Sequence, residues 1–251
     1  MLTHEQNDLI CRAMGDAPMG QLMRRYWMPA LLSEELPAPD CAPVQVRMMG
    51  EELVAFRDSD GRVGLLQEHC THRGTSLFYG RNEECGLRCA YHGWKYDVEG
   101  NVLDTPAEPE KSTFRGKVRQ PSYPTYEAGG MIWAYLGPPE KKPAFPRYSF
   151  MDKPATHSYV TKALLECNYL QGLEGECDSS HLNFLHRSFE RQGRDLYDAT
   201  SMPTYETEET DFGLYLVAKR NAPEDKTYVR VSSFVLPISC WITAITREMH
   251  L

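Results

Sequence analysis

Residues 70–94 read CTHRGTSLFYGRNEECGLRCAYHGW, and in this stretch Cys70-x-His72 is followed after sixteen residues by Cys89-x-x-His92. Each short segment offers one thiolate and one imidazole, so the pattern asks for two loops that face each other across a shared group. Two sulfurs and two nitrogens suit either a tetrahedral Zn²⁺ or an iron–sulfur centre. Zinc fingers and ribbons usually pair Cys with Cys in one knuckle and His with His in another, whereas here the two types are mixed within each loop. A [2Fe–2S] cluster with two Cys on one iron and two His on the other accounts for the mixing, because each loop then supplies a ligand to each iron. Two neutral imidazoles in place of anionic thiolates make such a centre less negative and place its potential between about −150 and +300 mV. Structural zinc is the alternative, and it predicts a colourless protein.

The remaining cysteines, at positions 11, 41, 85, 167, 177 and 240, gather no histidines in this way. The N-terminus MLTHEQNDLI has no apolar run behind a positive one, so export and structural disulfides are not expected. Cys85 breaks the one-cysteine-per-loop pattern and reads as a small buried side chain. His69 adjoins Cys70 and is expected to point away. Lys+Arg 27 against Asp+Glu 35 gives 27 − 35 = −8, which argues against a nucleic-acid groove. No stretch approaches the ~20 apolar residues of a membrane span. The expected location is the cytoplasm.

Short helices are expected over 5–14 and 19–27, interrupted at Gly15-Asp16-Ala17-Pro18, with Pro29 and the run LPAPDCAP acting as a linker. Alternating apolar residues predict strands from 44 to about 67, with a turn at Asp58-Ser59-Asp60-Gly61. A second turn is predicted at Asp97–Asn101, and an apolar strand over Gly130–Gly137. Residues 164–187 read as helical. Residues 211–219 and 227–236 alternate as strands, and a third strand is expected at about 240–250. The fold class is therefore α+β, a small all-β domain followed by part of a domain with helices on an antiparallel sheet. The expected division is 1–37 as an N-terminal helical segment, 38–145 as the cluster domain, and 146–251 as part of a second domain.

That second part contains LEGECDSSHLNFLH, with Asp178-x-x-His181-x4-His186. Two His and one carboxylate, with positions left open, hold non-haem Fe(II) for O₂ chemistry. On a helix Asp178 and His181 share a face, while His181 and His186 lie about 140° apart. Both histidines reach one ion only if the helix ends, tightens or bulges between them, and a distortion is predicted around Leu182–Leu185. An electron-donating cluster and an O₂-activating iron make sense together in one enzyme.

The chain resembles the α subunit of Rieske non-haem iron ring-hydroxylating oxygenases, in the phthalate dioxygenase-like group. The likeness is carried by the cluster loops, LTHEQNDLI (2–10), APMGQLMRRYWMPA (17–30), AYHGWKYDVEGNVLDTP (90–106) and LQGLEGECDSSHLNFLH (170–186). The respiratory Rieske type has a further Cys in each loop, where this chain has Thr75 and Tyr91. The resemblance implies that Cys70, His72, Cys89 and His92 hold the cluster and that His181 and His186 ligate the mononuclear iron. Asp178 is implied as a bridging acid that meets His92 of the next chain in a homotrimer. It further implies a separate NAD(P)H-dependent flavin/iron–sulfur reductase, O₂ and a small aromatic, carboxylated substrate. The family's third iron ligand is a downstream carboxylate that Asp195, Asp198, Asp211 and Asp225 do not match, so the 251 residues are read as an N-terminal portion. Several relatives have Asn where this chain has Glu174. The competing reading is a Rieske electron-transfer module without catalysis of its own.

Overall fold

A computed structural model describes residues 2–185, 202–222 and 225–242. The chain divides into two compact units, 1–164 and 165–251.

The first unit opens with α1 (His4–Cys11) and α2 (Pro18–Met23). Thr3 begins α1 with a capping box, its hydroxyl accepting from Gln6 N while the Gln6 side chain accepts from Thr3 N. Pro18 takes the first position of α2, where its missing N–H costs nothing. The segment expected to stay helical to 27 stops at Met23, because Trp27–Leu32 is a strand, β1. It pairs antiparallel with β10 (Met131–Tyr135), and β10 pairs with β9 (Thr125–Ala128). Pro29 sits exposed on this edge strand, where the register shifts between Pro29 and Leu31. An edge is the one place in a sheet that tolerates proline, so the residue that looked like a linker marks an edge instead.

The expected strands between 44 and 67 are present as β2 (Val44–Met48), β3 (Glu51–Arg57) and β4 (Val63–Gln67), an antiparallel meander. A second meander follows: β5 (Arg81–Glu83), β6 (Gly86–Arg88), β7 (Lys95–Tyr96) and β8 (Val102–Asp104). The β9–β10 hairpin turns on Gly129-Gly130, both at positive φ (62° and 76°), as a two-residue turn matched to strand twist requires. Val54, Phe56, Leu66, Leu77, Leu87, Tyr96 and Val102 form one apolar cluster, and Cys70, Cys89 and Trp94 are buried in it. A second cluster gathers Trp27, Trp133 and Tyr135 with Phe145, Tyr148 and Phe150 against them.

The second unit has α3 (Tyr169–Cys177) and an antiparallel sheet of β11 (Thr204–Thr210), β12 (Gly213–Ala222), β13 (Lys226–Val235) and β14 (Ser239–Ile242). Helical structure was expected over 164–187, but α3 starts only after Asn168, whose side chain accepts from Leu170 N, and ends at Cys177. β11 was not anticipated. Six of its seven residues, TYETEET, are polar, and it is an exposed edge strand with no apolar alternation to reveal it. β14 ends the described chain at 242, so the rest of the strand expected at about 240–250 lies outside the described residues.

Candidate metal centres

The two Cys/His segments fold into loops with the same backbone plan. In the first, Cys70 N donates to Thr75 O (2.9 Å) and Gly74 N to Cys70 O (2.8 Å). In the second, Cys89 N donates to Trp94 O (2.8 Å) and Gly93 N to Cys89 O (3.1 Å). Each loop thus closes on its cysteine through the fourth and fifth residues beyond it. The fourth is a glycine at positive φ in both, 72° at Gly74 and 75° at Gly93, a conformation that a side chain would strain.

The loops bring all four candidate ligands together. Cys70 and Cys89 are each 3% exposed in the apolar core. The His72 and His92 rings lie 4.7 Å apart, and His72 stacks on Trp94 at 4.6 Å with the planes 3° apart. Tyr91 packs on His92 at 3.8 Å and is itself exposed. Neighbours that the motif did not announce complete the site. Tyr96 Oη lies 3.0 Å from Cys70 Sγ and 3.1 Å from Thr71 Oγ1. Glu108 Oε1 lies 3.8 Å from His72 Nε2. Gln120 is fully buried; it accepts from Thr71 N and donates to the carbonyls of Gln67 and His69, pinning the first loop to β4. Tyr96 follows the second motif at a fixed offset and was in principle findable. Glu108 and Gln120 lie far along the chain with no local pattern.

The donor chemistry fits a cluster. The Cys70 thiol is pulled down to about 5, chiefly because Cys89 hydrogen-bonds to it, with burial opposing and Tyr96 and the backbone N–H groups of His72 and Arg73 assisting. Cys89 is pushed up, since it holds the shared proton and is buried. Metal binding displaces such a proton, because thiolates are the ligands. The Trp94 indole N–H, buried against His72, has no acceptor among the described residues, and a sulfur-bearing group offers one. Among the described residues, the one set of three ligating atoms within 4.8 Å of each other is Asp58, Asp60 and Cys85. The Asp58 trio is structural, since Asp58 is buried and bonded to the Arg62 side chain and to the backbone N–H groups of Asp60 and Arg62. His69 lies 3.4 Å from Glu52 and more than half exposed, turned outward as expected. Cys85 is only half-buried, at the turn between β5 and β6.

In the second unit Asp178 and His181 do not share a helix face. α3 ends at Cys177, Asp178 is extended (φ −72°, ψ 136°), and a separate 3-10 turn covers His181–Asn183. Asp178 starts that turn. Its Oδ1 accepts from Ser180 N and Tyr205 Oη, and its Oδ2 from His181 N (2.8 Å) and His181 Nδ1 (2.9 Å). The tightening predicted around Leu182–Leu185 is present slightly earlier in the chain. Burial works against the Asp178 carboxylate, but these four donors outweigh it and hold the group well below the usual carboxylate range. With Nδ1–H directed at Asp178, Nε2 is the His181 atom that would ligate a metal, the arrangement that commonly orients ligating histidines. His186 lies outside the described residues. Arg220, 1% exposed on β12, holds the turn from beneath through Ser179 O, Ser179 Oγ and Asn183 Oδ1. Tyr205 and Arg220 escaped the sequence reading because both lie on strands remote from the D-x-x-H segment.

Two domain families match the chain: the Rieske [2Fe–2S] domain over residues 26–124 and the LigXa C-terminal domain-like family over 134–247. The chain is 44% identical over 256 residues to the phthalate 4,5-dioxygenase oxygenase subunit of Pseudomonas putida, covering 96% of this chain and 58% of that protein. It belongs to the Rieske non-haem iron oxygenases, in the phthalate dioxygenase-like group. The 3-chlorobenzoate-3,4-dioxygenase oxygenase subunit of Comamonas testosteroni is 42% identical, over 94% of this chain and 56% of that one. This Rieske oxygenase chain thus spans somewhat more than half the length of these relatives. Dicamba monooxygenase bound to 3,6-dichlorosalicylic acid shares the fold, with a TM-score of 0.62 at 23% identity over 83% of this chain and 63% of that one. The Rieske match decides for a [2Fe–2S] cluster over zinc, and the family adds a mononuclear non-haem iron. Among the described residues, no helix is long and apolar enough to cross a membrane.

Proposed function

We propose that this chain is part of the oxygenase component of a two-component aromatic oxygenase, with Cys70, His72, Cys89 and His92 as cluster ligands and His181 and His186 as ligands of the mononuclear iron. When bound, the cluster supplies single electrons and the Fe(II) activates O₂ for insertion into a small aromatic, carboxylated substrate. Cys70 and Cys89 offer their sulfurs from a dry apolar core, and the Tyr96 hydroxyl donates to Cys70. Trp94 covers one face of His72 and keeps water from it. Asp178 holds a proton on His181 Nδ1 and so presents Nε2 to the metal. The observation that carries this reading is the matched pair of loops, which buries two thiols and sets two imidazoles 4.7 Å apart.

In the assembled protein Asp178 is proposed to face His92 of the next protomer in a homotrimer, and a separate NAD(P)H-dependent flavin/iron–sulfur reductase in the cytoplasm is proposed as electron source. The half-buried His92 beside the exposed Tyr91 supports this, since the ring lies close to the surface. Iron and acid-labile sulfide per chain, with electron paramagnetic resonance of the dithionite-reduced protein, test the assignment. Three irons and two sulfides with a Rieske signal are expected of the full-length protein. Two irons and two sulfides would favour an electron-transfer module, and zinc without sulfide would refute the reading.

A further inference from the structure

The last residue of α3, Cys177, meets Cys240 on β14. Their sulfurs are 4.0 Å apart, with the Cys177 thiol directed at Cys240 Sγ and the Cys240 thiol directed at Glu176 O (3.7 Å). Nothing separates the two sulfurs, and both residues are half-buried, within reach of a small oxidant. A disulfide spans about 2.05 Å, so each sulfur has about 1 Å to travel, a distance that modest side-chain rotation covers at a helix end and a four-residue strand. The metal chemistry proposed above uses neither thiol.

We propose that Cys177 and Cys240 are a peroxide-sensitive thiol pair that closes to a reversible disulfide. In the first step one thiolate sulfur attacks hydrogen peroxide, the O–O bond breaks, a sulfenic acid forms and one water leaves. The second thiol then attacks the sulfenic sulfur, the S–S bond forms, the S–O bond breaks, and a second water leaves. Two thiols lose two hydrogens and two electrons, and peroxide is reduced to two waters. Burial raises the Cys177 thiol, with its hydrogen bond to Cys240 opposing, and burial together with the neighbouring Cys177 pushes Cys240 up to about 12.

The position gives the bond a consequence, and this part rests on the function proposed above. Cys177 directly precedes Asp178, the residue that starts the His181 turn. Drawing Cys177 towards β14 moves the start of that turn.

The test is peptide mapping of the full-length, cluster-loaded protein after peroxide treatment, alkylation and digestion without reductant. The expected product is a linked pair of peptides carrying Cys177 and Cys240, two hydrogens lighter than their sum, dominant over every other cysteine link and split by dithiothreitol. Cys177→Ser and Cys240→Ser should each abolish it. Sulfinic or sulfonic acid at either position without the linked pair, or links scattered among the eight cysteines, would overturn the proposal. Because mass alone reports the bond, this result is independent of oxygenase activity. Hydrogen exchange over 178–185 should change on oxidation of the wild type and not of Cys240→Ser; unchanged exchange in both overturns the coupling to the turn.

Discussion

At the scale of single residues, the chemistry is set by donors placed around sulfur and carboxylate. Tyr96 Oη lies 3.0 Å from Cys70 Sγ, and a donor to sulfur stabilises the more negative, reduced cluster. Tyr96→Phe is therefore expected to lower the midpoint potential by tens of millivolts, on the scale where about 59 mV is a tenfold bias in a one-electron couple. A redox titration followed by electron paramagnetic resonance reads this directly, and an unchanged potential would remove Tyr96 from that role. Asp178 gives a pH prediction. Its folded carboxyl is held below the usual range by backbone and side-chain donors, so the stability it contributes is complete above the ordinary value near 4. It fades as pH falls below that value towards the lowered one. Asp178→Asn should make stability fall less steeply with acid below about pH 4, read as the urea midpoint against pH. An acid slope identical to wild type would contradict the hydrogen-bond pattern.

At the scale of elements, remote segments decide the shape of the loops. Gln120 is fully buried and bonds Thr71 N, Gln67 O and His69 O, three backbone groups that have to be satisfied when the first loop closes. Gln120→Ala leaves them without this partner and is expected to cost about 2–4 kcal/mol, with loss of cluster on dialysis. Denaturant unfolding and sulfide content check both effects, and full cluster retention would show that the loop holds itself. Gly100 lets the Gln120 backbone come close, with Gln120 N donating to Gly100 O. A Cβ there, at φ 84°, would sit 2.1 Å from Gln120 O. In the second unit the element that matters is the end of α3. Residues 164–187 were expected to be helical with a distortion around Leu182–Leu185, yet the helix ends at Cys177, and Asp178 bonds the N–H groups of Ser180 and His181 ahead of a new turn. Asp is strongly suited to that position, so the break was legible in residue type, though not in periodicity.

At the scale of the whole molecule, the cysteines Cys70 and Cys89 are members of the apolar core of the first unit, not of a surface clip. Removing the cluster with a chelator should therefore loosen residues 1–164 as a unit, lowering its melting temperature by several degrees or more. Calorimetry with and without chelator checks this, and an unshifted transition would place the cluster outside the core's energetics. The sequence by itself determined the two Cys/His loops, the meander of β2 to β4 and the turns at Asp58–Gly61 and Asp97–Asn101, because those signals are local: ligand spacing, alternation, and glycine or aspartate at turns. Only the tertiary structure placed Gln120, Glu108, Tyr205 and Arg220 beside the sites, turned Trp27–Leu32 into an edge strand, and brought Cys177 against Cys240. Each of those depends on segments that meet across the fold, and no period in one stretch of chain encodes what a distant stretch presents to it.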